Sequence, residues 1–268
     1  MLRSRMKQYL TFFSLLLLAS SLSANGQPGQ SVRVCSLNLA PQTMLNEQGQ
    51  PDGYAVKILE AIAARLNWRL SIQYYPWVRV VHLAQQGDCD IVLTVLMRED
   101  YAQYMAFPAE PILMQRNVIA VRKGSHMQYD GNMANFVRKH SIAMYRDKAI
   151  NDEFQQYRDA PWANIQLTKD AETNFKMLLL NRVEAVFEND LTAIMVLKKL
   201  NQLEQVTLLH PPLNETPAYI TFPKAGKLAH STALFDKAMA DFKQTQTYQA
   251  LQMEYLGTSE PDSSVKQP

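Results

Sequence analysis

The 268-residue sequence lacks the residues that mark several specialised protein classes. Two cysteines are too few for a disulfide-rich scaffold or a cysteine-rich zinc module. Nine glycines and thirteen prolines exclude collagen-like and Pro/Gly-rich low-complexity sequence. Neither charge sign is in excess, with 27 basic and 25 acidic residues. What is present is 47% hydrophobic residues, a composition typical of a globular protein with a buried core.

The first 24 residues have the layout of a secretory signal peptide. Three basic residues are followed by an apolar run from Leu10 to Ala19 and then by small residues. This run is about ten residues long, whereas a membrane span needs about 20. We therefore expect cleavage between Ser23 and Gly26, and a near-neutral mature protein in the periplasm. Its charge balance indicates no nucleic-acid or anionic-membrane partner.

An oxidising compartment gives Cys35 and Cys89 two possible states. Both residues lie on or beside predicted strands of one sheet. They form either one disulfide or two buried free thiols, which are common in protein cores. The sequence leaves both alternatives open.

Strand and helix patterns alternate in the first part of the mature chain. Strands are predicted at Val32–Leu37, Arg69–Tyr75 and Asp90–Leu96, because these segments are apolar or alternate. A helix is predicted at Tyr54–Asn67, and a shorter one follows Pro76 and ends at Gly87. The order βαβαβ implies a parallel sheet with right-handed crossovers.

A second α/β unit follows. Its predicted strands are Ser141–Tyr145, Val183–Phe187 and Val206–His210. One helix is predicted at Ala171–Asn181, and another runs to Leu200 with Asp190 as its N-cap.

Two extended segments flank the second unit. Asn117–Val121 and Ala218–Phe222 are predicted to carry the chain from one lobe to the other, and helices at Leu228–Lys243 and Gln246–Leu256 return to the first lobe. The expected domains are a signal peptide (1–24), lobe 1 (31–117 plus 222–257), lobe 2 (122–217) and a disordered tail (258–268).

Several short motifs occur in an order and at spacings that are typical of one protein family. They are Gln50-Pro-Asp-Gly-Tyr54, Trp77-Val-Arg79, Gly87-Asp-Cys-Asp90-Ile-Val, Met97-Arg-Glu-Asp100 with Phe107-Pro-Ala-Glu-Pro111, and Asn181-Arg-Val-Glu-Ala-Val186. Together they resemble the family 3 periplasmic solute-binding proteins, relatives of the polar amino-acid receptors of ABC importers. The resemblance covers roughly residues 32–257. It implies a two-lobed, type II-like periplasmic-binding-protein fold of class α/β, with two parallel or mixed sheets joined by a two-strand hinge and a ligand between the lobes.

One departure from that family concerns the ligand's charged groups. The family's amino-acid receptors pair the ligand carboxylate with an arginine six residues before the position of Phe107, where this chain has Tyr101. Either Arg98 serves instead from a reshaped loop, or the carboxylate clamp is missing. The family's acid for the ligand ammonium falls near Asn189, which Glu188 and Asp190 flank.

The candidate ligand-binding residues follow predicted strands or begin predicted helices. Trp77 would supply a stacking wall, Arg79 and Arg98 would bind a carboxylate, and the turn after Tyr145 would bind an anion. Each also has a purely structural interpretation, as a core aromatic, a solvated arginine, an ion pair with Glu99 or Asp100, or an ordinary loop. The full set is Tyr54, Trp77, Arg79, Arg98, Tyr145, Arg146, Asn189 and Asp190.

Sequence motifs of enzymes and metalloproteins are missing. The five histidines form no metal-ligand spacing, and the sequence has no nucleophile elbow, P-loop or dinucleotide turn. We therefore expect a protein without enzymatic activity, metal or cofactor. The resemblance implies a monomeric receptor that delivers a small polar, carboxylate-bearing solute to the permease of an ABC importer. The alternatives are a cyclohexadienyl-type dehydratase that uses Glu188 or Asp190 as acid or base, and an accessory protein that presents its ligand to a sensor.

Overall fold

The computed structural model describes residues 29–146, 150 and 152–256. The predicted signal peptide, the predicted tail and Asp147 lie outside these residues. In the described part, no helix combines the length and the apolar character that crossing a membrane requires.

Twelve strands form two sheets in this part of the chain. The strands are β1 (Gln30–Ser36), β2 (Met44–Leu45), β3 (Pro51–Asp52), β4 (Trp68–Tyr74), β5 (Ile91–Leu96), β6 (Met105–Ala106), β7 (Leu113–Arg122), β8 (Ile142–Tyr145), β9 (Ile165–Thr168), β10 (Ala185–Asn189), β11 (Val206–Leu208) and β12 (Asn214–Pro223). The large sheet has the order β4-β1-β5-β12-β7-β10-β8-β9, with β11 on β7 and β6 on β12, while β2 and β3 pair separately.

Helices connect most of these strands. They are α1 (Tyr54–Arg65), α2 (Trp77–Gln86), α3 (Glu99–Ala102), α4 (Met133–Lys139), α5 (Asp152–Arg158), α6 (Ala171–Leu179), α7 (Asp190–Lys199), α8 (Thr232–Lys243) and α9 (Gln246–Leu256).

The first half of the molecule is built on β4, β1 and β5. Strands β1 and β5 are parallel, as the βαβαβ order predicts. Helix α1 buries Val56, Leu59 and Ile62, which recur at helical spacing and pack with Phe222 and Phe235 in one core cluster. Helices α8 and α9 also contribute to that cluster, with Phe242 and Tyr248, so the chain does return to the first half at its C-terminal end.

The second half is built on β10, β8 and β9, which pair in parallel. Both faces of this sheet are covered. Phe187 packs in a cluster with Ile142 and Phe154, whereas its neighbour Val186 packs with Phe175 and other residues on the opposite face. Val183–Phe187 was predicted as a strand, and its apolar residues from Ala185 to Phe187 fit a strand that is buried on both faces.

Strands β7 and β12 join the two halves. They are antiparallel to each other, and β12 also pairs with β5 while β7 also pairs with β10. Asn117 marks the junction, because its register partners are Asn214 on one side and Asn189 on the other. The two predicted sheets are thus continuous through these strands. That the halves move about them stays a prediction.

A disulfide links Cys35 in β1 to Cys89, two residues before β5. The Cα atoms are 5.8 Å apart, and both side chains are buried beside Val80 and Val92. Of the two states that the sequence allows, the structure has the disulfide.

The observed helices and strands differ from the predicted ones in several short elements and in a few boundaries. No prediction covered β2, β3, β6, β9, α3, α4 or α5, most of which are too short to show a period. Helix α8 begins at Thr232 rather than Leu228, and β10 begins at Ala185 rather than Val183. The predicted N-cap Asp190 is wrong by one residue, because the Asn189 side chain accepts hydrogen bonds from Leu191 N and Thr192 N.

Candidate functional site

Three aromatic rings lie where β4 and β5 end in the first half. Trp77 begins α2, Tyr101 lies in α3, and Tyr104 follows it; we call these three residues the aromatic wall. Tyr101 contacts Trp77 edge to face at 5.5 Å between centroids and Tyr104 at 6.0 Å. The carboxyl ends of strands in open α/β sheets are where ligands bind, so the wall is a candidate contact surface.

The aromatic wall is held rigidly. The Trp77 indole Nε1 donates a hydrogen bond of 2.8 Å to Tyr101 Oη. The three half-buried rings pack on a core cluster that contains Val80, Met105 and the disulfide. A rigid aromatic surface binds a ligand with little loss of side-chain entropy.

The two predicted first-half arginines have aromatic and acidic partners. The Arg79 guanidinium lies 5.2 Å from the centre of the Tyr75 ring. That of Arg98 lies 5.2 Å from the Tyr101 ring and forms two hydrogen bonds of 3.0 and 3.2 Å with Asp100. These hydrogen bonds lower the pKa of Asp100. The structure therefore brings Arg98 and Trp77 together through Tyr101, and it realises the predicted ion pair with Asp100.

The structure does not place Tyr54 beside the aromatic wall, where β4 and β5 end. It begins α1 but is fully buried, and its ring lies 5.8 Å from that of Tyr255 in α9. Burial raises the pKa of its hydroxyl. Its position supports packing between α1 and α9 rather than contact with a ligand.

In the second half, Tyr145 and Arg146 lie at the end of β8. Both are exposed, and the Arg146 backbone N–H donates to Thr168 O at 3.0 Å. Residues 147–149 and 151 lie outside the described residues, so the anion site expected in the turn after Tyr145 stays a prediction.

Asn189 connects the second half to the first. Besides capping α7, its side-chain amide shares a hydrogen bond of 3.1 Å with the fully buried amide of Gln42. Thr192 Oγ1 donates to Ala40 O at 3.1 Å, and Leu191 packs in the core cluster of the first half. The N-terminal turn of α7 is therefore a contact between the halves.

Asp190 is a desolvated carboxylate beside β7 and β12, the strands that join the two halves. Its side chain is 13% exposed and lies 3.9 Å from Arg116 in β7, which also pairs at 3.0 Å with Glu215 in β12. Burial raises the pKa of Asp190 to about 6, although the Leu191 N–H and the Arg116 charge oppose the shift. Glu188 is also buried, and its Oε1 accepts from Asn189 N at 2.8 Å.

No single cluster contains all the predicted residues. One group consists of Trp77, Arg98 and their partner Tyr101, and another of Asn189, Asp190 and their neighbours. Sequence reasoning missed Gln42, Arg116 and Glu215 as members of the second group. A loop glutamine and two charged strand residues have no periodicity that would single them out.

Two further features of the described residues concern metal binding and cavities. Among the described residues, no group of three or more His, Cys, Asp or Glu side chains is arranged to hold a metal ion. A groove of about 580 Å³ lies between α1 and β4, lined by residues that include Lys57, Trp68 and Leu70. None of the predicted ligand-binding residues lines this groove.

Known proteins share this fold. The crystal structure of the L-cystine solute receptor of Neisseria gonorrhoeae, in the unliganded open conformation, superposes with a TM-score of 0.66 at 17% identity, covering 87% of this chain and 94% of that one. A histidine kinase sensor domain with similarity to periplasmic binding proteins superposes with a TM-score of 0.65 at 18% identity, covering 87% and 99%. The two halves are thus the lobes of a two-lobed periplasmic-binding-protein fold.

Sequence comparison identifies the family. A probable histidine-binding protein of Neisseria gonorrhoeae is 32% identical over 108 residues, which are 40% of this chain and 39% of that protein. The match thus spans about two fifths of that relative's length. The model of one family matches residues 32–258, nearly all of the described chain. The chain belongs to the bacterial extracellular solute-binding proteins, family 3.

Proposed function

We propose that this protein is a periplasmic receptor that captures a small polar solute between its lobes and delivers it to the permease of an ABC importer. It acts as a monomer, without a cofactor and without catalysing a reaction. The observation that carries the proposal is the placement of the two residue groups. The aromatic wall follows strands of one lobe, the Asn189–Asp190 turn follows β10 of the other, and β7 and β12 connect the lobes.

We further propose that the solute carries a carboxylate, as an amino acid does. The supporting residues are Arg146, exposed at the end of β8 in lobe 2, and Arg98 in lobe 1, which would exchange its ion pair with Asp100 for one with the solute. The names of the relatives agree with this class, because one is a probable histidine-binding protein and another an L-cystine receptor.

A thermal-shift screen of the mature protein against amino acids and small carboxylates tests this proposal, with calorimetry to confirm each hit. A ligand at 100 times its dissociation constant stabilises the folded state by about 2.7 kcal/mol. Trp77→Ala should weaken binding of any hit, whereas Trp162→Ala, in lobe 2 at an exposed position, should not. Small-angle scattering should show a smaller radius of gyration with the ligand. Absence of any hit would contradict the proposal.

A sensor role is the second candidate, and the likeness to a histidine kinase sensor domain favours it. Uptake of the identified ligand separates the two roles. Deleting the gene should abolish high-affinity uptake if the protein feeds an importer. Unchanged uptake together with a lost transcriptional response to the ligand would favour the sensor.

The dehydratase alternative has one supporting observation, the pKa of Asp190 at about 6. A carboxyl group with such a pKa is suited to proton transfer near neutral pH. Incubation with prephenate or a similar cyclic acid should yield no dehydrated product if the protein is a receptor. Turnover that Asp190→Asn abolishes would establish the enzyme instead.

A further inference from the structure

Strands β7 and β12 contain a short stretch in which they pair only with each other. Strand β5 pairs with β12 from Ala218 onward, and β10 pairs with β7 from Asn117 onward. Between these points, Met114–Arg116 of β7 lies opposite Glu215–Pro217 of β12. Among the described strands, no third strand pairs with these two segments, which we call the joint. The joint is therefore where a rotation of one lobe against the other disturbs the fewest strand pairs.

Asp190 of lobe 2 lies directly against the joint. Its Oδ2 is 3.9 Å from a terminal nitrogen of Arg116, whose Nε donates to Glu215 Oε1 at 3.0 Å. Two acids, one from α7 of lobe 2 and one from the joint, thus share one guanidinium. Because the Asp190 side chain is only 13% exposed, water contributes little to neutralising its charge.

The charges that face Asp190 come from three strands. Arg116 of β7 attracts its charge, and Glu215 of β12 repels it. Glu188 of β10 is buried too, with one carboxylate oxygen on a backbone N–H. The lobe-1 loop 39–43 contains no ionisable side chain. The one cation is therefore offset by a like charge, burial dominates, and the pKa of Asp190 is raised to about 6.

The turn that carries Asp190 also makes neutral contacts with lobe 1. The amides of Asn189 and Gln42 are 3.1 Å apart, Thr192 Oγ1 donates to a lobe-1 carbonyl at 3.1 Å, and Leu191 packs in the lobe-1 core cluster. These contacts favour the packed arrangement of the turn, whereas an ionised Asp190 opposes it. The packed turn thus combines several favourable contacts with one group that water would solvate better.

Proton binding is linked to this packing. A rotation of lobe 2 about the joint moves Asp190 away from Arg116 and Glu215 and exposes it to water, where an aspartate has a pKa of about 4. The pKa is higher in the packed arrangement, so the proton favours packing, and packing weakens as the pH rises from about 4 to 6. A difference of about two pKa units changes the ratio of packed to loosened molecules up to about 100-fold.

We infer that Asp190 is a proton-operated restraint on the hinge: its protonated form lets the first turn of α7 pack against the joint, and its ionised form loosens that packing. The inference goes beyond the proposed function, because it concerns the ligand-free protein and involves no contact with a solute. At neutral pH the ionised form prevails and the lobes move more freely. In acid the lobes are held in the packed arrangement.

The test measures the distance between spin labels on the two lobes of the ligand-free mature protein. The labels are attached at Gln48→Cys in lobe 1 and Leu180→Cys in lobe 2, which are both exposed positions. The native cysteines are joined in the disulfide and do not compete for the label. The distance distribution should be narrow at pH 4.5 and broader at pH 7.5, and the broadening should be complete near pH 7.

Variants of the charged cluster separate this role from general acid effects. Asp190→Asn cannot ionise, so its distribution should stay narrow at both pH values. Glu215→Gln removes the repelling charge and should make the pH response smaller, whereas Arg116→Gln removes the attracting charge and should make it larger. Asp170→Asn, which changes an N-cap aspartate elsewhere in lobe 2, should respond to pH as wild type does. Melting curves at both pH values establish that each variant is folded.

Each remaining outcome contradicts the inference. A wild-type distribution that is independent of pH, or that narrows as the pH rises, would overturn it. So would an equal pH response in wild type and Asp190→Asn. None of these results would affect the proposed receptor function, which the solute screen tests separately.

Discussion

Two desolvated aspartates, one in each lobe, have pKa values displaced in opposite directions. Asp90 of lobe 1 is 1% exposed, and its pKa is lowered. Asp190 of lobe 2 is 13% exposed, and its pKa is raised to about 6. Burial acts the same way on both, since it disfavours the charged form. What lowers the pKa of Asp90 below its ordinary value is therefore its hydrogen-bond partners.

Asp90 is surrounded by donors. Arg33 donates from Nε at 3.2 Å, from a terminal nitrogen at 2.8 Å and from its backbone N at 2.9 Å, and Lys227 N donates at 3.2 Å. Together these hydrogen bonds outweigh the burial of the carboxylate. Asp90 is thus a structural anchor that holds β1, the start of β5 and the segment before α8 together.

The Asp190 carboxylate has fewer hydrogen-bond donors and a more distant positive charge than that of Asp90. The Leu191 N–H donates to Asp190 Oδ1 at 2.7 Å, and the Arg116 guanidinium lies 3.9 Å away and is shared with Glu215. A charge that is desolvated but incompletely paired costs stability at neutral pH. Such groups are tolerated where they serve a function, and Asp190 lies in the turn that touches both lobes.

The largest expected effect comes from the disulfide that stands beside Asp90. The bond closes a loop with a sequence separation of 54 residues. The double variant Cys35→Ala/Cys89→Ala should lose about 4 kcal/mol of unfolding free energy, because the unfolded chain is no longer constrained. Urea unfolding measures this change, and wild type with a reductant is the control for the two lost side chains. Equal stability of oxidised and reduced wild type would contradict the prediction.

Asp90→Asn should cost about 3 kcal/mol at pH 7, because it removes one partner of a buried pair. The pKa of Asp90 is lowered in the folded state, so its contribution is present above about pH 4 and is lost as the pH falls further. Wild type and variant should therefore converge in acid. Asp88→Asn is the matched control, because Asp88 contacts the same Arg33 at 3.6 Å but is 61% exposed. A similar loss in both variants would show that the burial of Asp90 is irrelevant.

Sequence patterns predicted the longer helices and strands because their signals are local, whereas the two-lobed fold was implied by the family resemblance. In α1, Val56, Leu59 and Ile62 repeat at helical spacing, and Gly87 adopts φ 75° to end α2, as a terminal glycine does. Helix α3 and strand β6 span four and two residues, too few to show a period. Their positions depend on the contact of β6 with β12, which is distant in sequence.

The candidate site was predicted less completely because its properties are set by tertiary contacts. Trp77 could be identified from its place after a strand, but its bond to Tyr101 joins residues 24 positions apart. Asn189 and Asp190 are both good N-caps, so the sequence could not assign the cap to one of them. The raised pKa of Asp190 requires burial against β7 and β12, for which the sequence has no local signal.

Asp190→Asn should have the opposite effect from Asp90→Asn, with a gain of about 2 kcal/mol at pH 7. The folded-state pKa of Asp190 is about 6 and the unfolded value is about 4, so wild type loses this contribution as the pH rises between those values. The variant should lack that loss when unfolding is followed from pH 4 to 7. Asp170→Asn is the control. Asp170 caps α6 and its pKa is lowered, so this variant should be less stable than wild type at pH 7. If the unfolding free energies of wild type and Asp190→Asn change with pH in parallel, the raised pKa of Asp190 is contradicted.

Gln42→Ala should have the smallest effect on stability, about 1 kcal/mol, because one neutral hydrogen bond is lost. Asn189 keeps its N-cap bonds to Leu191 N and Thr192 N, so α7 itself should stay intact. What changes is the contact between lobes, because the Gln42–Asn189 bond joins the lobe-1 loop to the turn that holds Asp190. Amide exchange at the start of α7 should become faster, and the ligand-free radius of gyration should not decrease. Gln48→Ala, at an exposed position in the turn between β2 and β3, should change neither quantity. If exchange at α7 is as slow in Gln42→Ala as in wild type, Leu191 packing alone holds the turn against lobe 1, and the polar contact is dispensable.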